Sequence, residues 1–330
     1  MSEQPAQPPQ TAMFQMMMGM WVSQIVSATA QLRVPDLIAE GSTTLDDLAR
    51  GANADAGALR RLLRAAATLG VVTEVAPKTY ALTPLGETLR SDVRGSLRDL
   101  VIAETAPGHW LPWGHLAETI RQGRSLSSEV LNVPVWEYYA NHHEEGLSFA
   151  RGMSNLSAMV SEQVATVYNV GDAKTVVDVG GSQGVLLRGL LRSAPDARGI
   201  LFDRAEVIAD ATGDDRVELV AGSFFESVPK GADLYVLKSI LHDWPDEKCV
   251  EILKVVHRDS APGARVIIVE MLLTDEPGPV TFMDLNMLVM LDGRERSGDE
   301  YTALLREAGF AVERIIPTPG TFSVIEARRQ

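Results

Sequence analysis

The sequence predicts an α/β protein built on a mostly parallel sheet, with an antiparallel hairpin at its C-terminal edge and a mainly helical N-terminal part. Three observations predict it. Thr175, Val176, Val177 and Val179 form a short run of β-formers that ends in the glycine turn Gly180-Gly181-Ser182-Gln183-Gly184 and passes at once into VLLRGLLRSA, apolar at helical spacing. Strand, glycine turn and helix make the first unit of a nucleotide-binding domain. Apolar strand patterns then alternate with helical ones, as parallel pairing requires. Last, AVERIIPT and TFSVIEARR face each other across Pro319-Gly320, which reads as a hairpin.

Taken from the start, residues 1–10 are rich in Pro and Gln and are expected to be disordered. The stretch Ala12–Leu32 is apolar on nearly every side, with five Met among its first nine residues, and is expected to be one helix. A helix apolar all round must be buried, and at a chain terminus a second subunit supplies that burial. The sequence therefore favours a homodimer over packing within its own domain.

Thr43 and Thr44 ahead of Asp46 and Asp47 form a capping pattern for a helix over Thr44–Arg50. A second helix over Asp55–Leu69 is closed by Gly70, and GVVTEVAPKTYALTPLG reads as two short strands about Pro77-Lys78. Helix, helix and β-wing form a winged-helix pattern, so DNA binding has to be weighed. Residues 11–95 carry eight basic and eight acidic side chains, and the whole chain has a formal charge of −14. Neutralising phosphates needs a basic face, so no nucleic-acid partner is expected.

Residues 96–170 read as mostly helical. Trp110, Trp113, Trp136, Tyr138, Tyr139 and Phe149 concentrate aromatics there, as a pocket wall for a flat ligand or as helix-packing core. His142-His143-Glu144-Glu145 resembles a metal site only in composition, because adjacent helical histidines point about 100° apart. It reads as a solvated helix start.

From residue 171 onward strands are expected at 175–180, 199–203, 217–221, 233–238 and 265–271. Helices are expected at 184–194, 204–210, 245–259 and 298–308. The loop after the first strand decides the ligand. A dinucleotide fingerprint started at Gly180 would place Ser182 and Val185 on its second and third glycines, and no lysine follows Gly184. A pyrophosphate is therefore disfavoured. Asp203 ends the next strand 19 residues beyond Gly184, where an acid takes ribose hydroxyls. The pair fits an adenosyl ligand without phosphates, for which S-adenosyl-L-methionine is the common choice.

Ligands bind at the carboxyl ends of parallel strands. After the strand DLYVLK comes SILHDWPDE, which puts His242 there, with Glu270 ending RVIIVE and Glu295 in GRERSG as its carboxylate company. Asp246 and Glu247 read as first-turn acids of the following helix, and Asp243 shares that reading with a place beside His242. Trp244 could pack on adenine or on the core.

These motifs together resemble the S-adenosylmethionine-dependent O-methyltransferases of the plant caffeic-acid type and their bacterial natural-product relatives. They are DVGGSQG, FDRAEVI, AGSFFESVP, LKSILHDWPDEKC, VIIVEMLL and DLNMLVMLDGRERS, and the resemblance covers nearly the whole chain. It implies a class I methyltransferase domain with a Rossmann-like sheet over residues 171–330. Ahead of it stand a winged-helix-like dimerisation domain over 11–95 and a connecting and acceptor-pocket region over 96–170. Carried over, Gly180 would meet the methionine end of the cofactor, Asp203 the ribose, Phe224 and Trp244 the adenine, and Lys238 their surroundings. His242 matches the general base, and Glu270 and Glu295 the acids that hold its ring. Met153, Asn286 and Met287 match positions lining the acceptor pocket.

This chain departs from that pattern at three places. The usual third turn glycine is Ser182, and the Asp that accepts from the adenine amino group is Ser223. A hydroxyl in that place weakens the hydrogen bond by about 1 kcal/mol. Leu156 stands where many plant members have His, so plant phenylpropanoid acceptors are not implied. The expected acceptor is a phenolic or similarly acidic hydroxyl of an aromatic small molecule. No carboxylate cluster beside the pocket calls for a metal.

No apolar run reaches the roughly 20 residues a membrane span needs, no signal-peptide pattern opens the chain, and Cys249 is its single cysteine. A cytoplasmic protein without a membrane partner is the expectation.

Overall fold

The computed structural model describes residues 8–209 and 211–330, and among them it forms two compact units. The first comprises the chain up to Trp110 together with Tyr139–Asn155; the second comprises Leu111–Tyr138 and Leu156–Gln330.

In the first unit, helix α1 (Pro9–Met17) is followed by α2 (Gly19–Gln31), with the break at Met18. The single helix expected over Ala12–Leu32 is thus two, because a sequence apolar all round carries no periodic signal that registers a change of axis. Pro9 and Gln10, expected to be disordered, begin α1; the first seven residues of that tail lie outside the described residues. Met13, Phe14, Met16, Met17, Met20 and Trp21 are exposed on this element pair.

Helix α3 (Val34–Ala39) leads to α4 (Leu45–Gly51), capped by Thr44 accepting from the Asp47 amide. Helix α5 (Ala56–Thr68) is capped by Asp55 accepting from the Ala58 amide. Strands β1 (Val72–Ala76) and β2 (Thr79–Leu82) pair antiparallel around Lys78, which takes the left-handed conformation. Leu48, Leu59, Leu63, Ala66 and Tyr80 close the core of these elements.

The second unit is a seven-stranded sheet in the order β5-β4-β3-β6-β7-β9-β8. Strands β3 (Thr175–Val179), β4 (Arg198–Asp203), β5 (Val217–Ala221), β6 (Leu234–Lys238) and β7 (Arg265–Met271) are parallel. Strand β8 (Phe310–Pro317) pairs with β9 (Phe322–Arg329), which lies antiparallel on β7. All seven strands stand within a residue or two of where the sequence placed them. Buried on both faces, β3, β6 and β7 are nearly continuous runs of Val, Ile and Leu.

The helices Val185–Leu191, Asp246–Asp259 and Gly298–Glu307 supply the covering layers. Strand order reverses at β3: the chain runs outward through β4 and β5, then returns to β6 on the other side. The crevice between the carboxyl ends of β3 and β6 is the switch point at which such sheets bind ligands.

Candidate active site

Two non-glycine residues adopt left-handed backbone at this crevice: Ser182 after β3 and Ser239 after β6. Such conformations cost about 1–3 kcal/mol and cluster at functional sites. Gly180 is also left-handed, and a Cβ there would collide with Ile240. The turn at Gly180–Gly184 thus presents bare backbone at the strand end. Asp203, at the end of β4, accepts from the Ser182 amide at 2.9 Å and from the Arg204 amide at 2.7 Å. Each of its oxygens keeps a lone pair for a hydroxyl. The turn and the acid, read separately in the sequence, are hydrogen-bonded to one another.

Phe224 stands beside Gly180, with its ring edge-on to Trp244 at 6.3 Å. Trp244 in turn meets Phe225 at 4.8 Å. Ser223 accepts from the Phe225 amide through its hydroxyl at 3.3 Å. Lys238 is half-buried at the end of β6, and its ammonium donates to Ser239 Oγ at 3.3 Å. Burial pulls the Lys238 pKa down, while Glu270, Asp178 and Asp243 oppose the shift. Asp178, buried on β3, is pushed up to about 7 by desolvation against the attraction of Lys238.

His242 sits on the 3₁₀ turn Leu241–Asp243 that follows β6. Its Nδ1 lies 2.9 Å from Glu295 Oε1 and 3.8 Å from Glu270 Oε2, and its Nε2 lies 3.4 Å from Asp243. Both glutamates are buried, Glu270 at 0% exposure and Glu295 at 2%. Glu270 Oε1 accepts the amides of Ile240 and Leu241 at 3.1 Å each, which fixes the turn to the end of β7. Its Oε2, like Glu295 Oε2, has no hydrogen-bond partner among the described residues.

Burial by itself would lower the His242 pKa; the carboxylates of Glu270, Asp243 and Glu295 outweigh it and raise it to about 10. Burial lifts Glu270 to about 7, with His242 pulling the other way.

The expectation of no carboxylate cluster is corrected here: three acids surround the imidazole, and His242, Glu270 and Glu295 offer ligand atoms within 4.8 Å of one another. Strand-end positions far apart in the chain brought them together. The Nδ1 contact to Glu295 and the two amides on Glu270 make the cluster a hydrogen-bond network around the imidazole.

The loop carrying Glu295 is built from the same elements. Asp284, on the helix Val280–Leu291, accepts from the Glu295 amide at 2.9 Å. The Arg294 amide donates to the His242 carbonyl at 2.9 Å. Asn286, on that helix, accepts from Trp113 Nε1 at 2.9 Å through its Oδ1, and Met287 is buried. Met153 lies on the helix His143–Val167, in its portion belonging to the first unit.

Sequence reasoning missed three residues: Asp284, Asp178 as a buried acid, and Arg296, which is fully buried.

A family model of the O-methyltransferase domain matches residues 113–311, and one of the O-methyltransferase dimerisation domain matches 14–92. The phenazine O-methyltransferase PhzM of Lysobacter antibioticus is 35% identical over 98% of this chain and 97% of its own. An 8-amino-8-demethylriboflavin N,N-dimethyltransferase of Streptomyces davaonensis is 32% identical over 99% and 97%.

Among solved structures, human N-acetylserotonin methyltransferase in complex with S-adenosylmethionine is similar with a TM-score of 0.91. It is 27% identical, covering 100% of this chain and 99% of that one. The neocarzinostatin-biosynthesis O-methyltransferase NcsB1 was solved with S-adenosylhomocysteine and 1,4-dihydroxy-2-naphthoic acid. It has a TM-score of 0.77 at 33% identity, covering 94% and 96%. By its sequence, its sheet and the acids gathered on its strand-end histidine, the chain belongs to the S-adenosylmethionine-dependent O-methyltransferases that carry a dimerisation domain.

Proposed function

We propose that this enzyme methylates a phenolic or similarly acidic hydroxyl of an aromatic small molecule in bacterial secondary metabolism, with His242 as general base. The observation that carries the reading is the imidazole set among Glu295, Glu270 and Asp243.

A phenol has a pKa of about 10 and a free imidazole about 6.5, a gap worth about 5 kcal/mol. Glu270, Asp243 and Glu295 favour the imidazolium, which narrows that gap for proton removal by the fraction of enzyme whose ring is neutral. An aliphatic alcohol would remain far out of reach, which supports the acidic acceptor. Glu295 accepting from Nδ1–H leaves Nε2 as the atom that takes the proton.

S-adenosylmethionine, when bound, supplies a methyl group on a sulfonium, an electrophile that needs no further activation. The bare backbone at Gly180, the free lone pairs of Asp203 and the ring pair Phe224 and Trp244 suit its methionine, ribose and adenine parts, with Lys238 behind them. Ser223 would take the adenine amino group with a neutral hydroxyl. Asn286 and Met287 would line the acceptor pocket, where Trp113 holds the Asn286 carboxamide in one orientation.

We assign residues 11–95 to dimerisation, 96–170 to connection and acceptor binding, and 171–330 to cofactor binding. The exposed apolar face of α1 and α2 supports a homodimer, which sedimentation equilibrium decides. No described helix is long and apolar enough to cross a membrane, and we propose a cytoplasmic site of action.

The riboflavin relative supports a second reading, methyl transfer to an aromatic amine on the same scaffold. Mass-spectrometric turnover on phenols, hydroxyquinones and aromatic amines, with wild type beside His242→Ala, separates the two. Methylated phenols with the variant slower by about 10²-fold or more support the base. Undiminished turnover in His242→Ala removes it, and turnover on amines alone moves the assignment to nitrogen.

A further inference from the structure

Arg296 is buried at 0% exposure, and its guanidinium has four oxygen partners. Its Nη1 donates to the Leu241 carbonyl at 3.0 Å and to the Arg294 carbonyl at 3.3 Å. Its Nη2 donates to the Trp244 carbonyl at 2.7 Å, and its Nε to Asp246 Oδ1 at 2.8 Å. Leu241 and Trp244 are the two residues that bracket His242 and Asp243. The guanidinium also faces the ring of the buried Tyr301 at 5.8 Å. Cys249 Sγ donates to the same two carbonyls, at 3.1 and 3.4 Å.

The residue before Arg296 is Glu295, the partner of His242. The Arg296 carbonyl is itself fixed by the Leu273 amide at 3.0 Å, and the next residue, Ser297, forms a capping box with Glu300. Desolvating a guanidinium costs several kcal/mol, and an apolar side chain would fill the same volume at less expense. Its planar fork can bind separate carbonyls at fixed angles, which a lysine cannot do.

We propose that Arg296 is a positioning residue: it clamps the backbone on either side of His242 to the strand of chain that carries Glu295, and so holds the imidazole on its carboxylate. The inference rests on His242 being the base, but its test reads the ring directly.

The test uses full-length protein with ¹⁵N-labelled histidine, with the His242 signal assigned by its loss in His242→Gln. Arg296→Met keeps the length and removes the fork; Arg296→Lys keeps the charge alone. The expected result in Arg296→Met is a His242 titration midpoint at least about one pH unit below wild type. Its kcat should be about 10- to 100-fold lower, with the acceptor KM and the S-adenosylmethionine Kd within about threefold. Arg296→Lys should recover neither midpoint nor kcat fully.

A wild-type midpoint in a variant that still binds S-adenosylmethionine overturns the proposal, whatever happens to kcat. If Arg296→Met fails to bind the cofactor, Arg296→Lys is judged by the same criteria; loss of the fold in both makes Arg296 an ordinary core requirement and also overturns it. A lowered midpoint in a protein whose wild type methylates no acceptor leaves the clamp standing and sinks the reading of the reaction.

Discussion

The Nδ1 atom of His242 and the Oε1 atom of Glu295 are 2.9 Å apart although 53 residues separate them in the chain. The pairing makes the imidazolium a favoured species in the folded protein.

Its consequence for stability has a definite sign. The His242 pKa rises from 6.5 to about 10 on folding, so its contribution is complete below pH 6.5 and is lost as pH climbs through 10. Glu295→Gln should be less stable than wild type by about 1–3 kcal/mol at pH 6.5, and the difference should close by pH 10. Urea denaturation across that range measures it; a difference that stays constant with pH would remove the ion pair from the account.

Asp178 carries the opposite kind of charge in a similar place. Burial raises its pKa from 3.8 to about 7, so the fold favours its neutral form. That contribution is complete below pH 3.8 and lost as pH rises through 7. Asp178→Asn should therefore gain on wild type between pH 4 and pH 7, by up to about 4 kcal/mol. Denaturation midpoints at pH 4.5 and 8 test it, and parallel curves for the two proteins would refute the buried, neutral acid.

Gly293 packs directly on the turn that carries His242. A Cβ there would run into the His242 carbonyl oxygen and come within 2.9 Å of the Asp243 carbonyl carbon. Gly293→Ala should lower kcat about tenfold or more by displacing the turn. Gly278→Ala, where a Cβ meets nothing within 4 Å, should leave turnover at the wild-type level. Equal activity of the two variants would show that the close approach does not govern the placement of His242.

The sheet was legible because parallel strands buried on both faces are apolar runs, and all but β6, which ends in Lys238-Ser239, are punctuated by glycine or an acid at the functional end. His242, Glu270 and Glu295 were legible for the same reason: each follows a strand or a recognisable motif. The break at Met18 was hidden inside a stretch with no polar face.

Arg296 was illegible for a different reason. Arginine next to glutamate reads as a solvated pair, and only the folded chain shows its guanidinium turned inward on the Leu241 and Trp244 carbonyls and the Asp246 carboxylate, each 50 or more residues away. The Trp113 to Asn286 hydrogen bond, across 173 residues, likewise depends on tertiary contact and leaves no local trace.

The two compact units share the chain unevenly, since the first takes up Tyr139–Asn155 after the second has already begun at Leu111. A hybrid between two relatives joined at one crossover, wherever it falls between residues 111 and 155, would split both units between two parents. Swapping a whole unit requires three junctions, near residues 110, 138 and 155. Recombination within this family should therefore conserve both units most readily when exchanged segments end at all three places together.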